Sequence, residues 1–340
     1  MSTEVAYDAA QEFMNRESFA TKVQNTLHRY PWLSSAIVLA IALVVFGRFN
    51  ENFLTPNNFS LILQQVAIVG AVAAGQTIII LTAGIDLSCG AMTVFVAMVM
   101  ATLTFKNGVP PVLSFILGLL LGLASGAFNG FLVTKVKLPP FIVTLGTLNI
   151  FVSLTLIYSK GRTVRNTEVD PFFVLLGKYI DLGPFRITTG VLAVIALYLI
   201  LAFALRYTGW GRHVYAVGDD IEAARLAGIS VNRVLMSVYS LAGLVFAFTA
   251  WVQIGRVTAA SPNVGGDLNL DSITAVVIGG TSLFGGRGAV FGSFLGAILV
   301  GVFRNGLTLA GVDLYYQILA VGILILFAVS VDQWIRKARS

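Results

Sequence analysis

Long apolar runs separated by short polar segments make up most of the chain. A helix needs about 20 apolar residues to cross the hydrocarbon core of a membrane, and about ten runs approach that length. We place them at 31–48, 59–82, 88–105, 111–134, 139–159, 187–206, 235–256, 269–284, 288–308 and 314–335. The eighth run is short and is bounded by the glycine pairs 279–280 and 285–286, so we expect it to be broken or partly re-entrant. The pattern predicts an all-α integral membrane protein with about ten transmembrane helices.

One polar segment, residues 207–234, interrupts this pattern and is called the insert here. Asp219 and Glu222 have the spacing of a capping box, and Gly228 is placed to end the short helix that would follow. A helix of about two turns is marginal alone in water and needs a docking surface. The sequence allows two interpretations: the helix docks into a cytoplasmic partner, or it lies on the membrane surface.

The composition agrees with a membrane protein, because 57% of the residues are hydrophobic and 11% are charged. Soluble domains carry about 25% charged residues. The single cysteine, Cys89, excludes an internal disulfide, and neither histidine has ligand neighbours, so we expect no metal site, no bound cofactor and no catalytic residue on this chain. No basic cluster is large enough to make nucleic acid an expected partner.

The placement of Lys and Arg predicts the orientation. If the N-terminus is cytoplasmic, 13 of the 22 Lys and Arg residues lie on the cytoplasmic side. We therefore expect a cytoplasmic, uncleaved N-terminal tail at 1–30, a transmembrane domain at 31–335 with the insert as a cytoplasmic loop, and a cytoplasmic C-terminal tail at 336–340. The stretches 121–130 and 295–306 share a short sequence similarity, which is compatible with an inverted repeat of the kind common in transporters.

Asp86 lies in the turn between the second and third apolar runs. A carboxylate near the bilayer is costly and is a functional candidate. Asp86-Leu87-Ser88 also suits the N-cap of the third helix, where a carboxylate favours the helix dipole. We favour the structural role.

Neutral polar side chains inside the apolar runs offer contacts for an uncharged, hydroxylated solute, although they equally serve as hydrogen bonds between helices. Few charges accompany them, which argues against an ion relay. Candidates for a translocation path are Gln76, Asn129, Thr144, Thr147 and Asn149.

The glycine-rich segment 277–288 has the GxxxxG spacing of a P-loop at Gly280 and Gly285. Gly286 and Arg287 follow where Lys and Ser or Thr are required, so the phosphate-binding interpretation fails. A tight turn with Arg287 on the cytoplasmic side accounts better for the segment.

Several stretches together resemble the monosaccharide-type permease subunits of bacterial ABC importers, most of all the fructose branch. The resemblance covers about 53–332 and is carried by GQTIIILTAGIDLSCGA (75–91), LPPFIVTLGTLNI (138–150), GWGRHVYAVGDDIEAARLAGISVNRV (209–234), VVIGGTSLFGGRGAVFGSFLGA (276–297) and NGLTLAGVDLYYQ (305–317).

The resemblance implies a multi-pass inner-membrane permease that imports a monosaccharide such as fructose or ribose by alternating access. Its implied partners are a cytoplasmic ABC ATPase subunit, which uses ATP and Mg²⁺, a periplasmic sugar-binding protein, a second permease subunit and membrane lipid. In that family the segment matching 218–228 docks on the ATPase. On this sequence the coupling residues would be Gly218, Asp219, Asp220, Glu222, Ala223, Ala224, Arg225 and Gly228.

Two alternatives remain open at this stage. One is an ABC permease for another small solute, such as a branched-chain amino acid or a nucleoside. The other is an ion-coupled secondary transporter, which would work without ATP.

Overall fold

The computed structural model describes residues 32–165 and 170–337. The predicted N-terminal tail, 1–30, lies outside the described residues. Helices dominate the fold in chain order: α1 Trp32–Phe49, α2 Pro56–Leu81, α3 Cys89–Phe105, α4 Pro111–Thr134, α5 Pro140–Ser159, α6 Thr189–Tyr207, α7 Gly209–Asp219, α8 Ile221–Leu226, α9 Val231–Val257, α10 Leu268–Ile278, α11 Val290–Leu309 and α12 Leu314–Lys337.

Seven of the described helices, α1, α2, α4, α5, α6, α9 and α11, are long and apolar enough to cross a membrane. Three shorter apolar stretches, Cys89–Phe105, Leu268–Ile278 and Leu314–Ile323, coincide with the third, eighth and tenth predicted runs. The all-α membrane fold is therefore confirmed, whereas the count of ten spans and the orientation stay predictions.

Helix α2 forms the centre of the molecule. Its most apolar window is 83% buried, and its buried side chains enter two hydrophobic clusters, one shared with α6 and α9 and the other with α10 and α11. Helix α5, by contrast, is only 28% buried over its most apolar window. An apolar helix that is buried all round must lie inside the bundle.

Helices α4 and α9 cross at glycines. A Cβ atom on Gly126 would lie 3.0 Å from the Cα atom of Gly243, and one on Gly243 would lie 2.9 Å from the Cα atom of Gly126. Small residues let two helix backbones approach closely in a membrane, where van der Waals packing is the main attraction between helices. The first of the two similar stretches, 121–130, therefore packs α4 against α9.

Short strands occur only between helices within the described residues. Strand β1, Val164–Arg165, pairs antiparallel with β4, Ala259–Ala260, and strands β2, Tyr179–Leu182, and β3, Phe185–Thr188, form a hairpin. A single turn of 3₁₀-helix, Phe173–Gly177, precedes the hairpin.

The eighth run departs most from its prediction. Helix α10 has 11 residues and stops at Ile278, not at residue 284. Gly279 occupies the C-cap and Gly280 has a φ of 85°, a left-handed conformation that ends the helix. An 11-residue helix rises about 16 Å, roughly half of the hydrocarbon core. The expected broken segment is thus a half-length helix followed by a turn.

Candidate functional site

The insert folds into two helices, α7 and α8, although the sequence predicted only one. Thr208 caps α7, because its hydroxyl accepts a hydrogen bond from the Gly211 amide at 3.2 Å. The inward face of α7 consists of Gly211, Val214, Val217 and Gly218, which recur at helical spacing. That spacing and the Thr208 cap were the signals that could have predicted α7.

Helix α8 begins one residue later than predicted. Asp219 is the last residue of α7, and the N-cap is Asp220, whose carboxylate accepts hydrogen bonds from the amides of Glu222 and Ala223. The capping box assigned to Asp219 and Glu222 was therefore wrong. Glu222 instead pairs with Arg225 across one turn at 2.8 Å. Gly228 follows the helix with a φ of 82°, in agreement with its predicted role as terminator.

The two faces of α8 differ sharply in exposure. Ala224 is 4% exposed and packs into the hydrophobic core of this chain, whereas Leu226 is 90% exposed. Ile221 is partly exposed, and Glu222, Ala223 and Arg225 also face outward. An exposed leucine on a short, ordered helix suits a protein contact. Ala224, which the sequence placed at the docking surface, lies on the opposite face.

Three backbone segments meet behind α8, at what we call the glycine junction: Gly218, Leu81 and Gly286. The Gly286 amide donates a hydrogen bond of 3.0 Å to the carbonyl oxygen of Leu81. A Cβ atom on Gly218 would overlap that same oxygen and would lie 2.7 Å from the Gly286 nitrogen. Only glycine at position 218 allows the insert to touch both the end of α2 and the glycine-rich turn before α11.

Two aromatic side chains fasten α7 to the same region. The Tyr215 hydroxyl donates to the carbonyl oxygen of Gly288 at 2.9 Å, and Trp210 donates to Ser237 of α9 at 2.8 Å. Burial raises the pKa of Tyr215 above its ordinary value, so the hydroxyl stays a neutral donor. The insert is therefore held by α2, α9 and the 279–288 turn together.

Two predicted path residues, Gln76 and Asn129, are fully buried and lie within the protein interior. Asn129 donates to the Ser88 hydroxyl at 3.0 Å and approaches Asp86 at 3.5 Å. Asp86 in turn accepts hydrogen bonds from the Ser88 amide and hydroxyl at 2.7 and 2.6 Å. Asp86 is thus not the N-cap of α3; that position belongs to Ser88, and the carboxylate orders the turn just before the helix.

The other predicted path residues all belong to α5 but face different ways. Thr144 is buried and donates to the carbonyl oxygen of Ile85 at 3.0 Å, which ties α5 to the Asp86 turn. Thr147 is also buried, whereas Asn149 lies on the exposed face and donates to the carbonyl oxygen of Leu145. The structure therefore does not bring the five predicted residues together into one site.

A polar crevice that the sequence analysis missed lies elsewhere, between α2, α9, α10, α11 and α12. Its volume is about 690 Å³. Its polar lining comes from Gln65, Gln253, Arg256, Asn263, Asp267, Asp271, Arg304, Asn305, Thr308 and Gln317. Its three glutamines, Gln65, Gln253 and Gln317, were visible in the sequence as polar residues within apolar runs, but their convergence depends on the packing of α2, α9 and α12.

An ion pair lies within the crevice lining. The Arg304 guanidinium contacts Asp271 at 2.8 Å and Asp267 at 3.8 Å. The Asp271 side chain is only 3% exposed, whereas 35% of the Arg304 side chain is exposed. Few charges were expected inside the apolar runs, and Asp271 of α10 and Arg304 of α11 are two of those that occur there.

The crevice opens on the side of the molecule opposite the insert. Helices α9 and α11 start beside the insert and the glycine junction, and their crevice residues, such as Gln253 and Arg304, lie near their far ends. Helix α2 ends at the glycine junction, and its crevice residue Gln65 lies in its first half. Since α10 rises only about 16 Å from the glycine-rich turn, we infer that its first residue, Leu268, lies at about half the depth of the membrane.

Comparison with known proteins identifies the family. A family model described as the permease component of a branched-chain amino acid transport system matches residues 58–329. The chain is 46% identical over 340 residues to the fructose import permease protein FrcC of Rhizobium meliloti, covering 99% of this chain and 93% of that protein.

Two further relatives transport other sugars. The chain is 42% identical to the ribose import permease protein RbsC of Bacillus subtilis (strain 168), over 87% of this chain and 90% of that protein. It is 36% identical to the D-allose transport system permease protein AlsC of Escherichia coli (strain K12), over 88% and 91%. No solved structure matches the chain.

These matches extend over nearly the whole chain and agree with the bundle of apolar helices. The protein is located in the inner membrane, and the ATP hydrolysis that drives transport takes place on a separate partner subunit. The chain belongs to the family of monosaccharide-type ABC importer permeases.

Proposed function

We propose that this chain forms the translocation path of an ATP-driven importer whose substrate is a monosaccharide, with fructose as the first candidate and ribose as the second. The observation that carries the proposal is the 46% identity to a fructose import permease over 99% of the chain. Permeases of this family work with an ATPase and a sugar-binding protein. Transport then proceeds by alternating access, with this subunit performing no chemistry and binding no cofactor of its own.

The insert is the segment proposed to dock on the ATPase. Support comes from the division of its surface: Gly218 and Ala224 hold it to the membrane helices, while Leu226 and Ile221 face outward. Asp219, Asp220, Glu222, Ala223, Arg225 and Gly228 surround that outward surface and are exposed. With the insert cytoplasmic, both chain termini are cytoplasmic and the crevice opens toward the periplasm.

A second copy of the chain is proposed to cover the exposed face of α5. Gly146, Asn149 and Ser153 lie on this face at helical spacing, and a Cβ atom on Gly146 would meet no other atom within 4 Å. Small and polar residues in a spanning helix favour contact with another helix over contact with lipid. In a dimer Asn149 would then reach the interface. Asn129 and Thr144 instead donate hydrogen bonds to the turn before α3, to Ser88 and to the Ile85 carbonyl oxygen. Thr147 bonds within α5, and the buried Gln76 amide has no hydrogen-bond partner among the described residues.

One observation favours a second substrate class. The crevice carries Arg304, Asp267 and Asp271, and a zwitterionic amino acid needs compensating charges of both signs. The name of the matching family model also mentions branched-chain amino acids. The two arginines and two aspartates of the lining balance one another, however, and Arg304 already contacts both aspartates. Among the described residues, that leaves only Arg256 in the lining without an ion pair, and no free carboxylate for the amino group of a zwitterion.

The test uses the complete importer in proteoliposomes, with its ATPase and its binding protein. Uptake of labelled fructose, ribose, allose and leucine is measured with and without ATP. We expect import of one or more monosaccharides only when ATP and the binding protein are both present. Leucine import without sugar import would contradict the substrate proposal and leave the permease assignment intact, and uptake without ATP would contradict the mechanism.

A further inference from the structure

We propose that the crevice between α2, α9, α10, α11 and α12 is a transient monosaccharide site that receives the sugar on the side opposite the insert. The inference rests on the proposed function, which supplies the substrate class, and it adds the location and the contacts. None of the path residues expected from the sequence lines this crevice.

The size and lining of the crevice fit a sugar. Ligand pockets usually measure about 300–1,000 Å³, and this crevice measures about 690 Å³. The lining combines apolar side chains, among them Val66, Val69 and Val300, with amide and charged side chains. A monosaccharide presents a C–H face and a rim of hydroxyl groups, and these two surfaces match the two kinds of lining.

Two glutamines in the lining have unused hydrogen-bonding capacity. Gln253 is 4% exposed, and its carbonyl oxygen has no hydrogen-bond partner among the described residues. Gln65 is exposed to the crevice and forms no hydrogen bond to another described residue. A primary amide provides two N–H donors and one acceptor oxygen. Two neighbouring sugar hydroxyl groups can therefore bind to it, one by accepting from the N–H and the other by donating to the oxygen. A buried amide oxygen without a partner is costly unless a ligand or water completes it.

The depth of the crevice connects it to transport. Residues 263–268 line it, and they form the irregular backbone that leads to the first residue of α10 near mid-membrane. Irregular backbone at this depth is tolerated where it lines a water-filled cavity. Broken helices of this kind commonly form substrate sites near the bilayer midplane in transporters. The crevice therefore leads from the far surface to the level at which the sugar must be handed on.

The first experiment tests access and occupancy through a single cysteine. The native Cys89 is fully buried, so a Gln65→Cys variant of the complete importer is expected to be labelled selectively by a membrane-impermeant maleimide. We expect labelling from the binding-protein side and at least a threefold slowing by D-fructose at tens of millimolar, with D-ribose used in parallel and mannitol as the solute control. Labelling from the ATPase side only, or no labelling because a second copy covers the face, would overturn the proposal, as would labelling that neither sugar slows.

The second experiment separates sugar contact from folding. Gln253→Met removes the amide at nearly constant volume, and Gln333→Leu makes a comparable change at an exposed position of α12 outside the crevice. Transport of ¹⁴C-fructose is measured in proteoliposomes, with the thermal unfolding midpoint of each purified complex as the folding control. We expect at least a tenfold lower maximal uptake rate for Gln253→Met at an unchanged midpoint and unchanged ATP hydrolysis, and near-normal uptake for Gln333→Leu.

The outcomes distinguish this inference from the proposed function. If the native complex imports no monosaccharide, the proposed function fails. If the native complex imports fructose and Gln253→Met does so equally well, the crevice site fails alone. If Gln253→Met unfolds, Gln65→Met takes its place, because Gln65 is exposed and its replacement leaves no buried group unpaired; equal uptake by that variant would likewise refute the crevice site.

Discussion

The two ends of the helix bundle differ in how they are closed. On the insert side, backbones meet directly at the glycine junction, where the Gly286 amide donates to Leu81 and Gly218 leaves no room for a side chain. On the opposite side, a crevice of about 690 Å³ is lined by amide and charged side chains. The insert end is closed by direct backbone contact. The opposite end has an open crevice whose amide and charged side chains favour hydration.

This difference indicates which parts have to move. In alternating access, a transporter opens to one side of the membrane while it is closed to the other. The closed end must therefore be able to open, and the open end must be able to close. The glycine junction joins the insert to α2 and to the turn before α11, so a displacement of the insert by the ATPase would act directly on both helices. The crevice would close by movement of α10 and α11, which the Asp271–Arg304 ion pair joins.

The largest effect is expected when the junction itself is broken. Gly218→Val places a side chain against the carbonyl oxygen of Leu81 and within 2.7 Å of the Gly286 nitrogen. Overpacking against a rigid backbone should lower the free energy of unfolding by about 3 kcal/mol, the upper end of the usual range. Thermal unfolding in detergent and fructose uptake would show a lower midpoint and lost transport.

Gly209→Ala is the matched control in the same insert. The nearest atom to a Cβ there is a guanidinium nitrogen of Arg212 at 3.8 Å, so alanine fits without strain. Normal stability and transport are expected for this variant. A Gly218→Val protein as stable as the Gly209→Ala protein would show that the two backbones are not in contact at the junction.

The next largest loss of stability is expected at the ion pair in the crevice. Replacing its arginine should cost more than replacing its aspartate. Arg304→Met leaves the Asp271 carboxylate, with a side chain only 3% exposed, without its partner. Removing one member of a buried pair is strongly destabilising, and because Arg304 is partly exposed we expect about 2–3 kcal/mol. Asp271→Asn leaves an arginine that can reach water, so the cost should be about 1 kcal/mol. Chemical or thermal unfolding of both variants tests the order; an equal or reversed order would contradict the buried placement of Asp271.

Comparison with the sequence analysis shows which features a single sequence can reveal. Hydrophobic runs predicted most helix boundaries to within a few residues, because a spanning helix must satisfy its backbone within itself and therefore appears as a continuous apolar stretch. Helix α10 failed this rule because it covers about half the membrane and irregular backbone completes its path. The short length of the run and the glycine pairs that flank it were its signals in the sequence.

The candidate site was harder to predict than the fold. The capping box at Asp219 was a reasonable local pattern, but α7 extends through Asp219 because Val214, Val217 and Gly218 pack inward. The crevice depends on residues from five helices that are far apart in sequence, and their amides look like ordinary interhelical hydrogen bonds until the packing is known. Ala224 was placed among the coupling residues by the family resemblance of the whole segment, yet a small residue equally suits the inward face of a helix.

A smaller effect is expected at the outward face of α8, and it tests the proposed ATPase contact. Leu226→Glu places a charge where a 90% exposed leucine now projects. The permease should keep its unfolding midpoint, while its affinity for the ATPase falls about tenfold, or ~1.4 kcal/mol. Co-purification and a titration of the ATPase in detergent provide the measurement.

Ala224→Arg offers the contrast on the opposite face of α8. Ala224 is buried within the permease, so the arginine should destabilise the insert itself and lower the unfolding midpoint of the permease without any partner present. If Ala224→Arg left the permease stable and Leu226→Glu left ATPase binding intact, the assignment of the inward and outward faces of α8 would be wrong.

The smallest effect is expected at Asp86, in the turn that joins the insert end to the interior. Its carboxylate accepts hydrogen bonds from the amide and hydroxyl of Ser88, and an asparagine oxygen at the same position can accept both. Asp86→Asn should therefore cost less than about 1 kcal/mol, because the hydrogen bonds that order the turn are kept, and it should leave fructose uptake within about twofold of the native rate. Asp86→Ala is the matched comparison, because it removes the acceptor and should lower stability more. Normal folding together with abolished uptake in Asp86→Asn would mean that the charge takes part in transport. The turn that contains Asp86 would then have to move with the glycine junction during transport.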